Sequence, residues 1–419
     1  MTTLSADTVH FPIGRWLLLL LVLLIMAACG SRSRETEQEM PRPTEAPVPA
    51  VAEEPTATPE ILLPTPEVPP TQPMRMQAGN IRYDLQASPL PGAPAGLAVD
   101  GTTIWVAQPD DGAIMAVDVT TAASRTLEVG GEPYRLATGE EGLWAVDAAF
   151  SDYWVRRIDP ASGATLAEVR PAPGIYPGPR RVAPGGEAVW TPVDGTGALV
   201  RIDPATNGPG DVITDRPNMS GGGDAPLLVA FGSVWVIDSN EGRLLRVDPA
   251  GEQIVAAVQD LGYAEKKEGD SREILADGPV ALGANEQGLW VLSDVANTEA
   301  SASNVVGGGA LFLIDPASNQ VVQRIDLKAE ADKSLDPALV LVDATAWFVE
   351  MSSGYIVRVD LVTGEEIRIL PLNRPLTPTG IAAIGDLIWV AGESFGGDPS
   401  YGLFGIDRQA ITALLEQAK

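Results

Sequence analysis

Residues 189–207 read VWTPVDGTGALVRIDPATN. Two short runs rich in β-branched and aromatic residues flank a loop of Asp, Gly and Thr, and the second run ends in Asp-Pro. Such a pattern predicts two antiparallel strands followed by a tight turn. Near-copies recur along the chain as "TTIWVAQ", "EGLWAVD", "GSVWVID", "QGLWVLS", "ATAWFVE" and "DLIWVAG". The shared tryptophans are Trp105, Trp144, Trp190, Trp235, Trp290, Trp347 and Trp389, seven of the nine in the chain, so one repeat position accounts for nearly all of them.

After each tryptophan comes a second run closing on Val or Ile plus Asp: "MAVDVTT", "RRIDPASG", "VRIDPATN", "LRVDPAG", "FLIDPASN", "VRVDLVTG" and "FGIDRQ". Asp caps such a turn, Pro presets its φ, and Gly or Asn accepts the left-handed conformation that ends it. Tryptophans 39 to 57 residues apart, with strand-like runs between turn signals, predict four-stranded units arranged radially. The expectation is an all-β fold, a seven-bladed β-propeller of four-stranded antiparallel blades. The last repeat runs into a helix-like tail, "RQAITALLEQAK", and lacks a fourth strand. "IRYDLQAS" (81–88) precedes the first repeat and resembles the fourth-strand segment "SRTLEVGG". An N-terminal strand at 81–85 is therefore expected to complete the last blade and remove two open sheet edges.

Around this domain the chain divides into three. Arg15 precedes the apolar run Trp16 to Ala28, which stops at Cys29, the only cysteine. The run is shorter than the ~20 residues of a membrane-spanning helix and reads as an export signal. "MAAC" resembles the lipobox of bacterial lipoproteins, with Met26 where leucine is commoner. The resemblance implies cleavage after residue 28 and lipid on Cys29. An uncleaved anchor helix beginning near Phe11 is the alternative. Either way the remainder lies outside the cytoplasm, on the outer side of the cytoplasmic membrane or at the cell surface. Residues 29–80 hold eleven prolines between Pro41 and Pro73, too little apolar content to offset ordering entropy, and read as a disordered stalk. Residues 81–419 form the folded domain.

Composition limits the chemistry. His10 is the only histidine and lies in the signal, so the domain holds no Ser-His-Asp triad, no His-ligated zinc and no His general base. With Cys29 lipidated there is no free thiol. Between Ile81 and Lys419, 23 Lys plus Arg face 47 Asp plus Glu, a net of −24, which makes nucleic acid a poor partner. Nothing in the sequence calls for more than a monomer.

"PAGLAVDGTTIWVAQPDDGAIMAVD" (94–118) resembles the blade unit of NHL-repeat, YVTN (YncE-like) and virginiamycin B lyase-like propellers. The resemblance covers about residues 81–419 and implies the fold. Streptogramin lyases would also imply a catalytic histidine with Mg²⁺, and no histidine here matches it.

Two sets of side chains are candidates for a site. Three or four residues beyond the repeat Trp stand Asp147, Asp194, Asp238, Asp294, Glu350 and Glu393, with Gln108 the exception. They would form either a ring of negative charge suited to Ca²⁺, Mg²⁺ or a cationic ligand, or a set of local turn caps. Arg135 and Arg181 lie nine residues before their Trp, where they would hold an anion at the channel mouth or pair with internal acids. Arg201, Arg246 and Arg358, eleven residues after theirs, are expected directly across from the indole. The long connections, 214–225, 260–278, 294–309 and 328–337, should share one face. The expected role is a lipid-anchored, non-enzymatic propeller binding a protein, peptide or glycan there. The alternative is a metal-assisted lyase or lactonase using carboxylates.

Overall fold

The computed structural model describes residues 79–83, 86–147, 154–171, 181–192, 198–215, 225–268, 271–276, 278–295, 308–328, 339–350, 353–371, 376–394 and 400–417. The signal, Cys29, nearly all of the stalk and Asp194 lie outside them. The domain is a seven-bladed propeller. Blade one comprises Leu97–Asp100, Thr103–Gln108, Ala113–Asp118 and Ser124–Glu128, each paired antiparallel with the next. Blades two to six repeat that order, and blade seven supplies three strands, Leu376–Ile384, Leu387–Ser394 and Ser400–Asp407. A separate hairpin, Ala264–Glu268 with Ser271–Ala276, stands between blades four and five.

Every repeat tryptophan sits on the second strand of its blade. Trp144, Trp190, Trp235 and Trp290 are fully buried, and even Trp389 is 6% exposed. Their cross-strand neighbours on the innermost strand are mostly small: Ala98, Ala137, Ala183, Gly283 and Ala382. Each indole packs onto the following blade. Trp105 clusters with Leu136 and Leu143 of blade two, and Trp190 with Val234 and Val236 of blade four. Trp389 of blade seven packs on Ile104 and Val106 of blade one, so the hydrophobic seam runs round the ring.

The repeat Asp behaves as turn chemistry requires. Asp118, Asp159, Asp203, Asp248, Asp315 and Asp360 each accept the N–H two residues on, at 2.8–3.1 Å. In blade seven the same geometry caps the C-terminal helix Arg408–Gln417: Asp407 Oδ1 accepts from Gln409 N at 2.8 Å and Ala410 N at 3.1 Å. The left-handed residue ending these turns is Gly163, Asn207, Asn319 or Gly364, as expected, but in blade one it is Ala122 (φ 57°) and in blade four Glu252 (φ 48°) instead of Gly251. The helix buries Ile411 against blades six and seven, and Arg408 ties it to Asp343 at 2.7 Å. Among the described residues no helix is long and apolar enough to cross a membrane.

Closure comes from the N-terminal chain, but not from 81–85. Gln86–Leu90 pairs antiparallel with Ser400–Asp407 and completes blade seven. Gly79–Tyr83 instead runs parallel along Glu366–Pro371 as a fifth strand of blade six. Leu90 decides the register: it is 6% exposed and packs with Trp389, Leu403 and Ile104. Resemblance to another fourth strand located the segment, whereas burial of one leucine set which residues pair.

Arginine clamps link the blades at the rim. Arg201, Arg246 and Arg358 lie directly across from Trp190, Trp235 and Trp347. Arg246 stands 5.2 Å from the Trp235 ring centre and donates to the Pro316 carbonyl of blade five at 2.6 Å. Two clamps escape the eleven-residue spacing. Arg157 faces Trp144 across a longer loop and donates to Pro204 O at 3.0 Å, and Arg125 lies over Trp105 and donates to Pro160 O and Ala161 O. An aspartate-proline turn is thus also an acceptor for the preceding blade.

Candidate functional site

The two ends of the ring differ in construction. On one face the innermost and second strands of all seven blades are joined by two-residue turns, such as Gly186-Glu187 and Phe231-Gly232 with both φ positive. On the other face the strand ends leave 213 to 227, 258 to 278, 295 to 308 and 326 to 340 to be spanned. The hairpin 264–276 belongs to that long-loop face.

The carboxylates expected to ring this face separate into two groups by strand parity. Successive side chains alternate across a sheet, so residues three and four beyond a tryptophan point opposite ways. Asp147, Asp238 and Glu350, three beyond, are 7%, 0% and 4% exposed and face the preceding blade. Asp294 and Glu393, four beyond, lie on the tryptophan side and are half-buried. Among the described residues no three acids are grouped so as to hold a metal ion.

Each of the three buried acids pairs with an arginine of its own blade, and the pair fastens the connection arriving from the blade before. Asp147 meets Arg156 at 2.9 Å and accepts Glu132 N–H at 3.0 Å, while Arg156 donates to the carbonyls of Val129 (2.9 Å) and Gly130 (2.8 Å). A Cβ on Gly131 would come within 2.1 Å of Asp147 Oδ2, so this close approach needs glycine. Asp238 meets Arg243 at 2.8 Å, and Arg243 also holds Asp215 of the incoming segment at 2.7 Å. Burial works to lower the Arg243 pKa, but the hydrogen bonds it donates to Asp238 and Asp215 outweigh it and hold the pKa above its usual value. Glu350 meets Arg368 at 3.2 Å; Arg368 also holds Glu366, which accepts Lys328 N–H of the incoming segment at 2.7 Å. These arginines are the partners that sequence reasoning missed. Their offsets from the tryptophan vary with loop length, so no fixed spacing betrays them.

Blade one has no such arginine, and there the acid is replaced. Gln108 is 1% exposed, and neither its Oε1 nor its Nε2 finds a partner among the described residues. It crowds Gly92 of the incoming connection, where a Cβ would lie 3.1 Å from Nε2 and 1.8 Å from Asp111 Oδ2. Arg135 and Arg181 are buried, at 4% and 6% exposed. Arg135 lies over Tyr134 and donates to the Ala95 carbonyl of blade one at 2.6 Å; the Arg181 carbonyl accepts from Thr191 Oγ1 at 2.8 Å.

No known protein family and no curated protein matches the sequence. Solved structures do. The Cps50 (Swd1) β-propeller domain of Myceliophteria thermophila aligns with TM-score 0.53 at 13% identity, over 77% of this chain and 99% of that one. A chain of Kuenenia stuttgartiensis hydrazine synthase aligns with TM-score 0.53 at 13% identity, over 74% and 94%. An extracellular domain from B. thetaiotaomicron, described as that of a hybrid two-component system, aligns with TM-score 0.52 at 13% identity, over 77% of this chain and 42% of that one. Identities this low carry architecture and no activity: the chain is similar to these proteins as a seven-bladed β-propeller.

Proposed function

We infer that this is an exported propeller, tethered through lipid on Cys29 and the stalk 29–80, that binds a protein, peptide or glycan on its long-loop face without catalysing a reaction. The observation that carries the reading is the contrast between the faces. Seven two-residue turns lie at one end of the ring, while at the other the strand ends leave 213 to 227, 258 to 278, 295 to 308 and 326 to 340 to be spanned. Rigid scaffolds carry recognition on such elaborated loops. Two of the buried acid–arginine pairs support it indirectly, because Arg243 holds Asp215 and Glu366 holds Lys328 at the roots of two of these connections.

The experiment is an array of peptides and glycans probed with the full chain and with a variant in which 296–307 is replaced by a two-residue turn. Ligands bound by the parent and lost in the variant are the expected result. Ligands bound equally by both, or none, would overturn the assignment to this face. Labelling with radioactive palmitate, lost in Cys29→Ser, tests the anchor separately. Metal-assisted lyase or lactonase chemistry is the other reading, and a Ca²⁺- or Mg²⁺-dependent rise in melting temperature would favour it.

A further inference from the structure

The blades differ in how their outer edges are finished. An outermost strand exposes a row of unpaired N–H and C=O groups, and a β-bulge is one way to stop another strand adding there. In blades two, three, four and five the pairing between third and outermost strands is interrupted by a register shift. In three of them the extra residue is an exposed apolar side chain: Leu166, Val255 or Val322.

Blades one, six and seven keep an unbroken register at this pair. In blade seven the outermost strand is Gln86–Leu90, whose Pro89 has no N–H to offer. In blade six the regular edge is taken, since Gly79–Tyr83 adds to it in parallel. Glu366 and Arg368 lie on that edge strand, so charged residues do not prevent addition. Blade one remains. Ser124–Glu128 is regular, proline-free and exposed at every residue but Leu127, and no described strand covers its outer side. Beside it opens a cavity of about 170 Å³ lined by Thr103, Ala116, Asp118, Ala123, Ser124 and Arg125.

We propose that the outer edge of blade one, Ser124–Glu128, is a strand-addition site for an extended basic segment of a partner protein, with one of its side chains entering the adjoining cavity. Main-chain hydrogen bonds along the edge supply the attachment, and the pocket and surrounding charge supply selectivity. Blade six is the precedent: the strand seated there, GNIRY, carries an arginine and no acid. A domain of net charge −24 favours a positive segment. The site lies on the rim, so it is separate from ligand binding at the long-loop face.

The test uses the full chain and a short lysine-flanked synthetic peptide carrying the Gly79–Tyr83 sequence. Hydrogen exchange resolved by residue reads where the peptide lands. Saturable binding with new amide protection at 124–128 is expected, and Thr126→Pro should weaken it about tenfold or more. A peptide N-methylated at alternate residues, which cannot complete a ladder, should not bind, and this control stands even if the proline variant fails to fold. Protection appearing only at 366–371, equal binding of the methylated peptide, or no binding would overturn the proposal. So would protection of 124–128 in the unliganded chain accompanied by dimerisation, which would make the edge a contact between copies.

Discussion

Arg246 lies over Trp235, its guanidinium carbon 5.2 Å from the ring centre, and extends beyond the indole to the Pro316 carbonyl of the next blade, 2.6 Å away. One side chain thus covers the repeat tryptophan and fastens neighbouring blades at the rim. Lysine carries the same charge but not the planar fork that stacks and donates together. Arg246→Lys should therefore destabilise the domain by about 1–2 kcal/mol, as the stacking and the donated bonds are lost. Denaturant melts of Arg246→Lys beside the parent check this; an unchanged midpoint would show that the clamp adds nothing.

Asp147 and Arg156 are a buried pair, so removing one partner strands the other. Asp147→Leu or Arg156→Met alone is expected to cost about 3–5 kcal/mol, and the two together markedly less than their sum. A double-mutant cycle followed by calorimetry distinguishes this from independent effects, for which the two costs would simply add.

Gln108 buries an amide with no partner among the described residues. Methionine is close in volume and has no such demand, so Gln108→Met should leave stability unchanged or raise it by about 1 kcal/mol. Ser293, with 0% exposure and a hydroxyl likewise unpartnered, should tolerate alanine in the same way. A loss of stability in both would reveal interactions that the geometry does not contain.

Leu90 fixes the closing strand. Leu90→Ala should cost about 2–5 kcal/mol, while Ile81→Pro, on the fifth strand of blade six, should leave the melting temperature of the ring nearly unchanged. Equal losses in the two variants would mean that 79–83 takes part in closure.

The turn aspartates predict acid behaviour. Asp118 is held well below the usual carboxylate range by hydrogen bonds from Thr120, Thr102 and Thr121, Asp159 by those from Ser162 and Ala161, and Asp315 by those from Ser318 and Ala317. A folded pKa below the unfolded value stabilises the fold at pH above the unfolded value, near 4, and that stabilisation is lost as pH falls through the folded one. Stability should accordingly be flat above about pH 5 and decline below about pH 4. Asp118→Asn should shallow the decline, measured as denaturation midpoint against pH; a decline as steep as the parent's would exclude Asp118 as a contributor.

Seven equivalent tryptophans, the aspartate turns that follow them and an N-terminal segment left over for the last blade were readable from the chain itself. They express local rules: alternation along a strand, turn stereochemistry and a repeat that cannot bury its apolar face alone. Parity was also present, since Asp147 stands three residues from Trp144 and Asp294 four from Trp290, yet what each side chain meets was not. That Asp147 joins Arg156, that Gln108 stands where no arginine is at hand, and that Leu90 rather than Leu85 closes the ring depend on loops of unequal length bringing together residues whose separation follows no period. The choice of edges left regular or bulged is settled likewise, by pairing between strands, which no single strand encodes.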